Sequence, residues 1–229
     1  MQQQRLVIFS PQGEKISCIL TKAHKFNPQK TVLYGNCFTC TKNYKGGVYF
    51  SRSLASRGWS TLRFDYRGLG ESDGDFKETT FFQMADDIAF VYNYMEREGF
   101  PPKIYLGHSI GGTLGLYITH RLKSLAAMVL LASTGNLINL YNRLGGNSSG
   151  LKEKGYHTLE IGGRKYELTS KFFASLQKAS QTFVLERHIL PTVIFHYEGD
   201  PVLPYKESYE LYQKLASPFK NYILLAGKD

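Results

Sequence analysis

The stretch Lys103-Ile104-Tyr105-Leu106-Gly107-His108-Ser109-Ile110-Gly111-Gly112 constrains this chain more than any other. Ile104 to Leu106 is short, apolar and rich in strand formers, so it reads as a buried strand. Gly107-His108-Ser109-Ile110-Gly111 then fits the pattern G-x-S-x-G, in which a serine is held on a strained strand-to-helix turn. Glycines are required there because side chains two residues either side of the serine would collide. Gly112 and Gly115 let the following helix, about Ile110 to Arg121, lie close to a sheet. A strand ending on the motif and an apolar helix starting from it are the context that gives five common residues their meaning.

The 229-residue sequence is consistent with one domain, 1–229, around a sizeable core. No apolar run is long enough to cross a bilayer, and the start Met1-Gln2-Gln3-Gln4-Arg5 lacks a signal-peptide core. The expectation is a cytoplasmic protein with no membrane partner. The net charge of +9 would suit a nucleic-acid binder, but the cations are scattered and no recognition motif is present. A solvated basic surface with no nucleic-acid partner is expected. Three cysteines, Cys18, Cys37 and Cys40, are an odd number and too few for a structural zinc site, so no metal is expected. Cys37-Phe38-Thr39-Cys40 matches C-x-x-C, yet it follows a strand where a catalytic loop belongs, and incidental thiols are the expectation.

Leu6–Phe9 and Lys15–Thr21 read as an antiparallel edge hairpin, and Thr31–Tyr34 as a buried strand. A helix over Lys45–Ser56, a strand over Trp59–Phe64 and an irregular loop over Asp65–Phe76 follow. Thr79 or Thr80 caps a long helix to Arg97. Beyond the serine motif, Leu125–Leu131 is again continuously apolar. Such alternation of apolar strands with helices predicts a mostly parallel sheet covered on both faces. Residues 136–180 break the rhythm with a flexible Gly145–Gly150 segment, a hairpin over His157–Leu168 turned by Gly162-Gly163, and a helix capped by Ser170 and running through Leu176. This insertion is expected to lie over the pocket as a small lid. Thr192–Phe195, a helix over Ser208–Leu215 and a strand over Tyr222–Leu225 complete the pattern.

A serine hydroxyl at its ordinary pKa needs a base, and the base an acid to orient it. In G-x-S-x-G enzymes these run along the chain as serine, acid, histidine. Asp200, in Glu198-Gly199-Asp200-Pro201, follows a late strand and is the expected acid, with Glu198 as fallback. The oxyanion hole should combine the backbone N–H of Ile110 with that of Phe38 from the early loop. None of the six histidines is a natural base. His108 adjoins the serine and is expected to pack beside it; His157 and His188 flank the lid. The base is therefore expected just beyond Asp229, on a missing histidine loop followed by a last helix.

Asn36–Asn43, Leu62–Phe76 and Gly107–Gly112 together resemble the α/β-hydrolase superfamily. They are most similar to the hydrolase domain of bacterial fusions with an OsmC-like domain and, less closely, to cinnamoyl and feruloyl esterases. The resemblance implies an α/β-hydrolase fold with helices on both sides of the sheet, Ser109 as nucleophile, Asp200 as acid, and Phe38 and Ile110 as oxyanion donors. It also implies that an OsmC-like domain, if present, would lie past Asp229. Such families usually carry histidine where Asn36 stands, which bears on support of the oxyanion loop.

The expected function is cleavage of small carboxylic esters through an acyl-enzyme on Ser109, without cofactor. Asn36 and His108, with Tyr156 and Phe172 of the lid, are the candidate substrate contacts, and the aromatic pair points to an apolar or aryl acyl group. A homodimer is compatible with the sequence. The rival readings are a non-catalytic binding module on the same fold, and amide or thioester hydrolysis.

Overall fold

Five-residue apolar runs cross the middle of the molecule side by side. The computed structural model describes residues 1–161 and 163–227. Gly162 of the expected Gly-Gly turn, with Lys228 and Asp229, lies outside the described residues. Strands β1 (Gln2–Phe9), β2 (Lys15–Lys22), β3 (Thr31–Gly35), β4 (Ser60–Phe64), β5 (Ile104–His108), β6 (Ala127–Leu131), β9 (Thr192–Tyr197) and β10 (Lys220–Leu225) form one sheet. Their order is β1-β2-β4-β3-β5-β6-β9-β10. The β1–β2 hairpin is antiparallel and lies at one edge, β2 also runs antiparallel to β4, and every pair from β4 to β10 is parallel. This is the α/β-hydrolase fold, with β5 near the centre.

Helices α1 (Lys45–Ser56), α2 (Phe81–Arg97), α3 (Ile110–Tyr117) and α7 (Tyr205–Lys214) connect these strands. Thr80 caps α2, its hydroxyl accepting from the Gln83 N–H at 3.0 Å, which is the start signal read from the sequence. The helix expected to run from Ile110 to Arg121 is shorter: α3 ends at Tyr117 and a 3-10 turn covers Thr119–Arg121. The Thr119 hydroxyl donates back to the carbonyls of Leu116 and Gly115, competing with continuation of the helix.

The 136–180 segment is more regular than the sequence suggested. Asn136 caps α4 (Leu137–Arg143), accepting from Ile138 and Asn139, and Ser148 caps α5 (Ser149–Lys154), so part of the expected flexible glycine segment is helical. β7 (Tyr156–Ile161) and β8 (Arg164–Thr169) make the predicted hairpin, and α6 spans Ser170–Ser180 with Ser170 as its first residue rather than its cap. The insertion is anchored on α2, where Ser175 Oγ accepts the Phe81 N–H at 2.9 Å.

Helices cover both faces of the sheet, as expected, but the two faces differ in burial. Leu33, Tyr105, Met128, Leu130 and Ile194 are sealed in the main core, on the face that α3 and α7 pack against. On the other face Val32, Tyr34 and Leu106 are buried in a small second cluster beside α1. Further along that face Val129, Leu131, Val193 and Phe195 are only half-buried. Leu225 is 49% exposed.

Candidate active site

β5 delivers Ser109 to the carboxyl edge of the sheet, and α3 starts on the next residue. The serine has φ +54° and ψ −125°, a region that side chains adopt at a cost of order 1–3 kcal/mol. Ladder bonding holds it there: its N–H donates to the Leu131 carbonyl at 2.8 Å. Ala132, at the end of the neighbouring β6, is the other non-glycine residue with positive φ among the described residues, at +46°. Strain thus sits at the carboxyl ends of two adjacent strands.

Close packing explains the motif's glycines. A Cβ on Gly107 would lie 2.4 Å from Gly112 Cα, so the crowding is across the turn to Gly112 rather than to Gly111. A Cβ on Gly111 would lie 2.4 Å from the Gly35 carbonyl oxygen and 2.5 Å from that of Asn36. The first turn of α3 therefore presses directly on the backbone of the loop after β3. Tyr105 locks the same contact, its hydroxyl donating to the Gly111 carbonyl at 2.6 Å.

That loop carries Phe38. Neither the Phe38 N–H nor the Ile110 N–H is engaged by a protein acceptor among the described residues, and both residues are buried. The Phe38 ring is held between Phe76 at 5.4 Å and Phe172 at 5.3 Å. Asn36 is fully buried and its Nδ2 donates to the Phe64 carbonyl at 2.6 Å, so its side chain braces the loop against β4. Cys37 and Cys40 are joined in a disulfide across this turn, with Cα atoms 5.2 Å apart, which corrects the expectation of incidental thiols. The turn bond from Cys40 N–H to the Cys37 carbonyl brings them together. Cys18 is free and buried, and burial pushes its thiol well above its usual range.

The far end of the loop is pinned by charges. Lys42, 2% exposed, pairs with the buried Asp65 at 2.5 Å and with Glu71 at 2.8 Å. Asp65 also accepts the Lys42 and Glu71 backbone N–H groups, and the buried Arg63 donates to the Lys42 carbonyl. The basic surface expected from the composition therefore surrenders Lys42, Arg63 and Arg67 to the interior, Arg67 being paired with buried Asp87. Sequence reading missed this cluster; its signal was the aspartate of Phe64-Asp65-Tyr66-Arg67-Gly68, set at the end of an apolar strand.

Asp200 lies on the loop after β9. Its Oδ1 accepts from the Val202 and Leu203 N–H groups at 2.8 and 2.9 Å, which fixes the carboxylate. Asp200 and His108 line one cleft of about 250 Å³ together with Tyr34, Tyr44, Ala132 and His196. His108 stacks on Tyr44, and burial lowers its pKa against the opposing pull of Asp200. Its Nδ1 has no hydrogen-bond partner among the described residues. His196 Nε2 approaches Asp200 at 3.5 Å but bonds the Leu203 carbonyl at 2.8 Å, and its side chain is fully buried.

The candidate residues thus fall into two groups. The turn that carries Ser109 and Ile110 presses on Gly35 and Asn36 of the β3 loop, which continues to Phe38, while His108 and Asp200 share the adjoining cleft. Tyr156 and Phe172 do not line that cleft. Tyr156 is half-buried on β7, and Phe172 has no exposed surface, backing Phe38 from α6. No cluster of three or more metal-ligating side chains is placed to hold a metal ion among the described residues. No described helix is long and apolar enough to cross a membrane.

Comparison with known proteins agrees with this architecture. The chain is 27% identical over 186 residues to mouse palmitoyl-protein thioesterase ABHD10, mitochondrial, covering 79% of this chain and 61% of that protein. It therefore spans about three-fifths of that curated relative's length. Among solved structures, the esterase domain of a Rhodothermus marinus protein superposes with a TM-score of 0.78 at 23% identity, covering 99% of this chain and 88% of the other. Est1E of Butyrivibrio proteoclasticus with bound ferulic acid gives 0.77 at 24% identity, over 97% and 90%. The family profile of the serine aminopeptidases S33 matches residues 44–171, more than half of the sequence. The chain belongs to that family of α/β-hydrolases.

Proposed function

We propose that this protein is a serine hydrolase of the carboxylesterase type, cleaving small carboxylic esters through an acyl-enzyme on Ser109. The observation that carries the reading is the backbone of Ser109, held at φ +54° where β5 meets α3, with the first turn of α3 pressed on the loop that leads to Phe38. Ser109 Oγ attacks the ester carbonyl carbon, and the Phe38 and Ile110 N–H groups stabilise the oxyanion. A histidine just past Asp229 takes the hydroxyl proton and returns it to the departing alcohol, and Asp200 orients that histidine. Water activated by the same base then releases the acid. His196 is unsuited to the part, being enclosed and bonded to Leu203.

Thioester cleavage is the second reading, favoured by the thioesterase named among the relatives. It needs only a thiol in place of the alcohol as leaving group. The test is labelling of Ser109 by a fluorophosphonate, with burst kinetics on p-nitrophenyl acetate. It compares this chain, a version extended past Asp229, and Ser109→Ala in each. Labelling and turnover confined to the extended serine protein support the proposal. A folded extended protein that stays silent overturns it in favour of a non-catalytic binding module.

A further inference from the structure

A second cleft lies away from the one beside Ser109 and is larger than it. It measures about 550 Å³, within the usual range of roughly 300–1,000 Å³ for ligand sites. Leu122, Lys123 and Leu125 line it from the segment entering β6, and Ile189 and Leu190 from the segment entering β9. It therefore opens at the amino ends of these strands, whereas Ser109 and Asp200 stand at the carboxyl ends. Five-residue strands at about 3.3 Å per residue separate the two levels by roughly 15 Å.

The lining has two chemistries. Leu116, Leu122 and Leu125 form a buried apolar floor, and Phe183, Val184 and Ile189 continue it outward, Val184 being 40% and Ile189 70% exposed. Lys123, His120 and Arg187 supply positive charge at the rim, all of them exposed, and no aspartate or glutamate contributes to the lining. His120 and Lys123 follow the carboxyl end of α3, where cations also offset the helix dipole. Arg187 comes from the opposite wall and has no such helix to serve. Neither Lys123 nor Arg187 is engaged in an ion pair among the described residues.

We propose that this cleft is a second binding site, for an amphipathic carboxylate: an apolar chain on the leucine floor and an anionic head between Lys123 and Arg187. The floor removes the chain from water, so affinity should rise with the length of the apolar chain it covers. The cations select the head group, because a carboxylate gains charge-assisted hydrogen bonds that an alcohol or an ammonium does not. The site is independent of the chemistry at Ser109.

Calorimetric titration of the Ser109→Ala chain with decanoate, below its micelle concentration, tests this. Decanoate should bind with one-to-one stoichiometry. Decyltrimethylammonium and butyrate should each bind at least about tenfold more weakly, lacking the head group or the chain. Lys123→Glu with Arg187→Glu changes only exposed side chains and should weaken decanoate at least about tenfold, with an unchanged circular dichroism spectrum. Val184→Trp, which fills the cleft from its mouth, should do the same without altering charge. Equal affinity in both variants would place any binding elsewhere and overturn the proposal. So would the absence of binding at millimolar decanoate, which leaves the cleft to a macromolecular partner or to none.

Discussion

The sheet's two faces are built from the same kinds of residue and are held very differently. In β6, Met128 and Leu130 point to the helix-covered face and are 1% and 0% exposed, whereas Val129 and Leu131 point the other way and are half-buried. β9 repeats the alternation, with Ile194 sealed and Phe195 partly open. The open side is no less apolar than the sealed one in these strands, so burial is decided by which helices arrive. α3 and α7 meet one face, with α2 and α6 completing its core, while on the other the buried cluster stops at Leu106. Packing of that kind should dominate stability on the sealed side. Leu130→Ala is expected to cost about 3–4 kcal/mol, as buried leucine truncations do, and Leu131→Ala less than about 1.5 kcal/mol. Urea midpoints of the two variants measure this, and comparable losses would show that the open face is as tightly packed as the sealed one.

Acid should separate the sides in the same direction. His188, buried beside Thr119 and Thr192 at the amino ends of the strands, has its pKa pushed down to about 4 by burial. The unfolded chain takes up that proton near 6.5, while the folded protein refuses it until about pH 4. Stability is therefore fully present above pH 6.5 and falls as pH drops toward 4, by about 3 kcal/mol in all from this residue. His108, on the open side, is also lowered, but the Asp200 charge opposes the shift. Urea midpoints between pH 7 and 4 should lose most of their slope in His188→Gln and less of it in His108→Asn. An unchanged slope in His188→Gln would remove the assignment.

What the sequence could and could not say follows the same division. The elbow was legible because close backbone packing demands Gly107 and Gly111 on either side of Ser109 within five residues. Strand and helix positions were legible from apolar runs and from caps such as Thr80. The open face was not, since a continuously apolar strand has no feature that tells a covered side from an uncovered one. Lys42 read as surface because its partner Asp65 is 23 positions away, and only folding brings them to 2.5 Å. The Cys37–Cys40 bond was hidden because a C-x-x-C pattern is satisfied equally by thiols. α4 and α5 were overlooked where glycines flank their short sequences, although Asn136 and Ser148 were valid caps. Asp200 was placed by chain order, and its Asx bonds to Val202 and Leu203 appear only in three dimensions.

The junction of α3 with the β3 loop belongs to the tightly packed part, and one methyl group should expose that. Gly111→Ala directs its Cβ against the carbonyl oxygens of Gly35 and Asn36, which are backbone atoms with little room to retreat. An overpacking cost of about 1–3 kcal/mol is expected. The strain is released by moving the Phe38 loop away from Ile110, so fluorophosphonate labelling of the extended protein should fall together with the urea midpoint. Gly46→Ala is the matched control on the less crowded side, where the nearest obstacle is the Tyr44 ring rather than backbone. A Gly111→Ala protein with normal stability and labelling would mean that the contact between elbow and loop is looser than drawn.

The smallest expected effect has the opposite sign. Ser109 is held in a conformation that suits glycine, and its N–H bond to Leu131 does not depend on the side chain. Ser109→Gly should therefore stabilise the fold, by about 1 kcal/mol once glycine's greater freedom in the unfolded chain is set against the relieved strain. It should also abolish fluorophosphonate labelling of the extended protein. Ser109→Ala removes the hydroxyl while keeping the Cβ and the strain, so it should silence labelling with almost no gain in stability. The difference between the two variants isolates the backbone contribution at the point where β5 becomes α3. A Ser109→Gly protein no more stable than Ser109→Ala would show that the turn holds its serine without strain, and that geometry would then have to be explained by the packing of Gly107 on Gly112 alone.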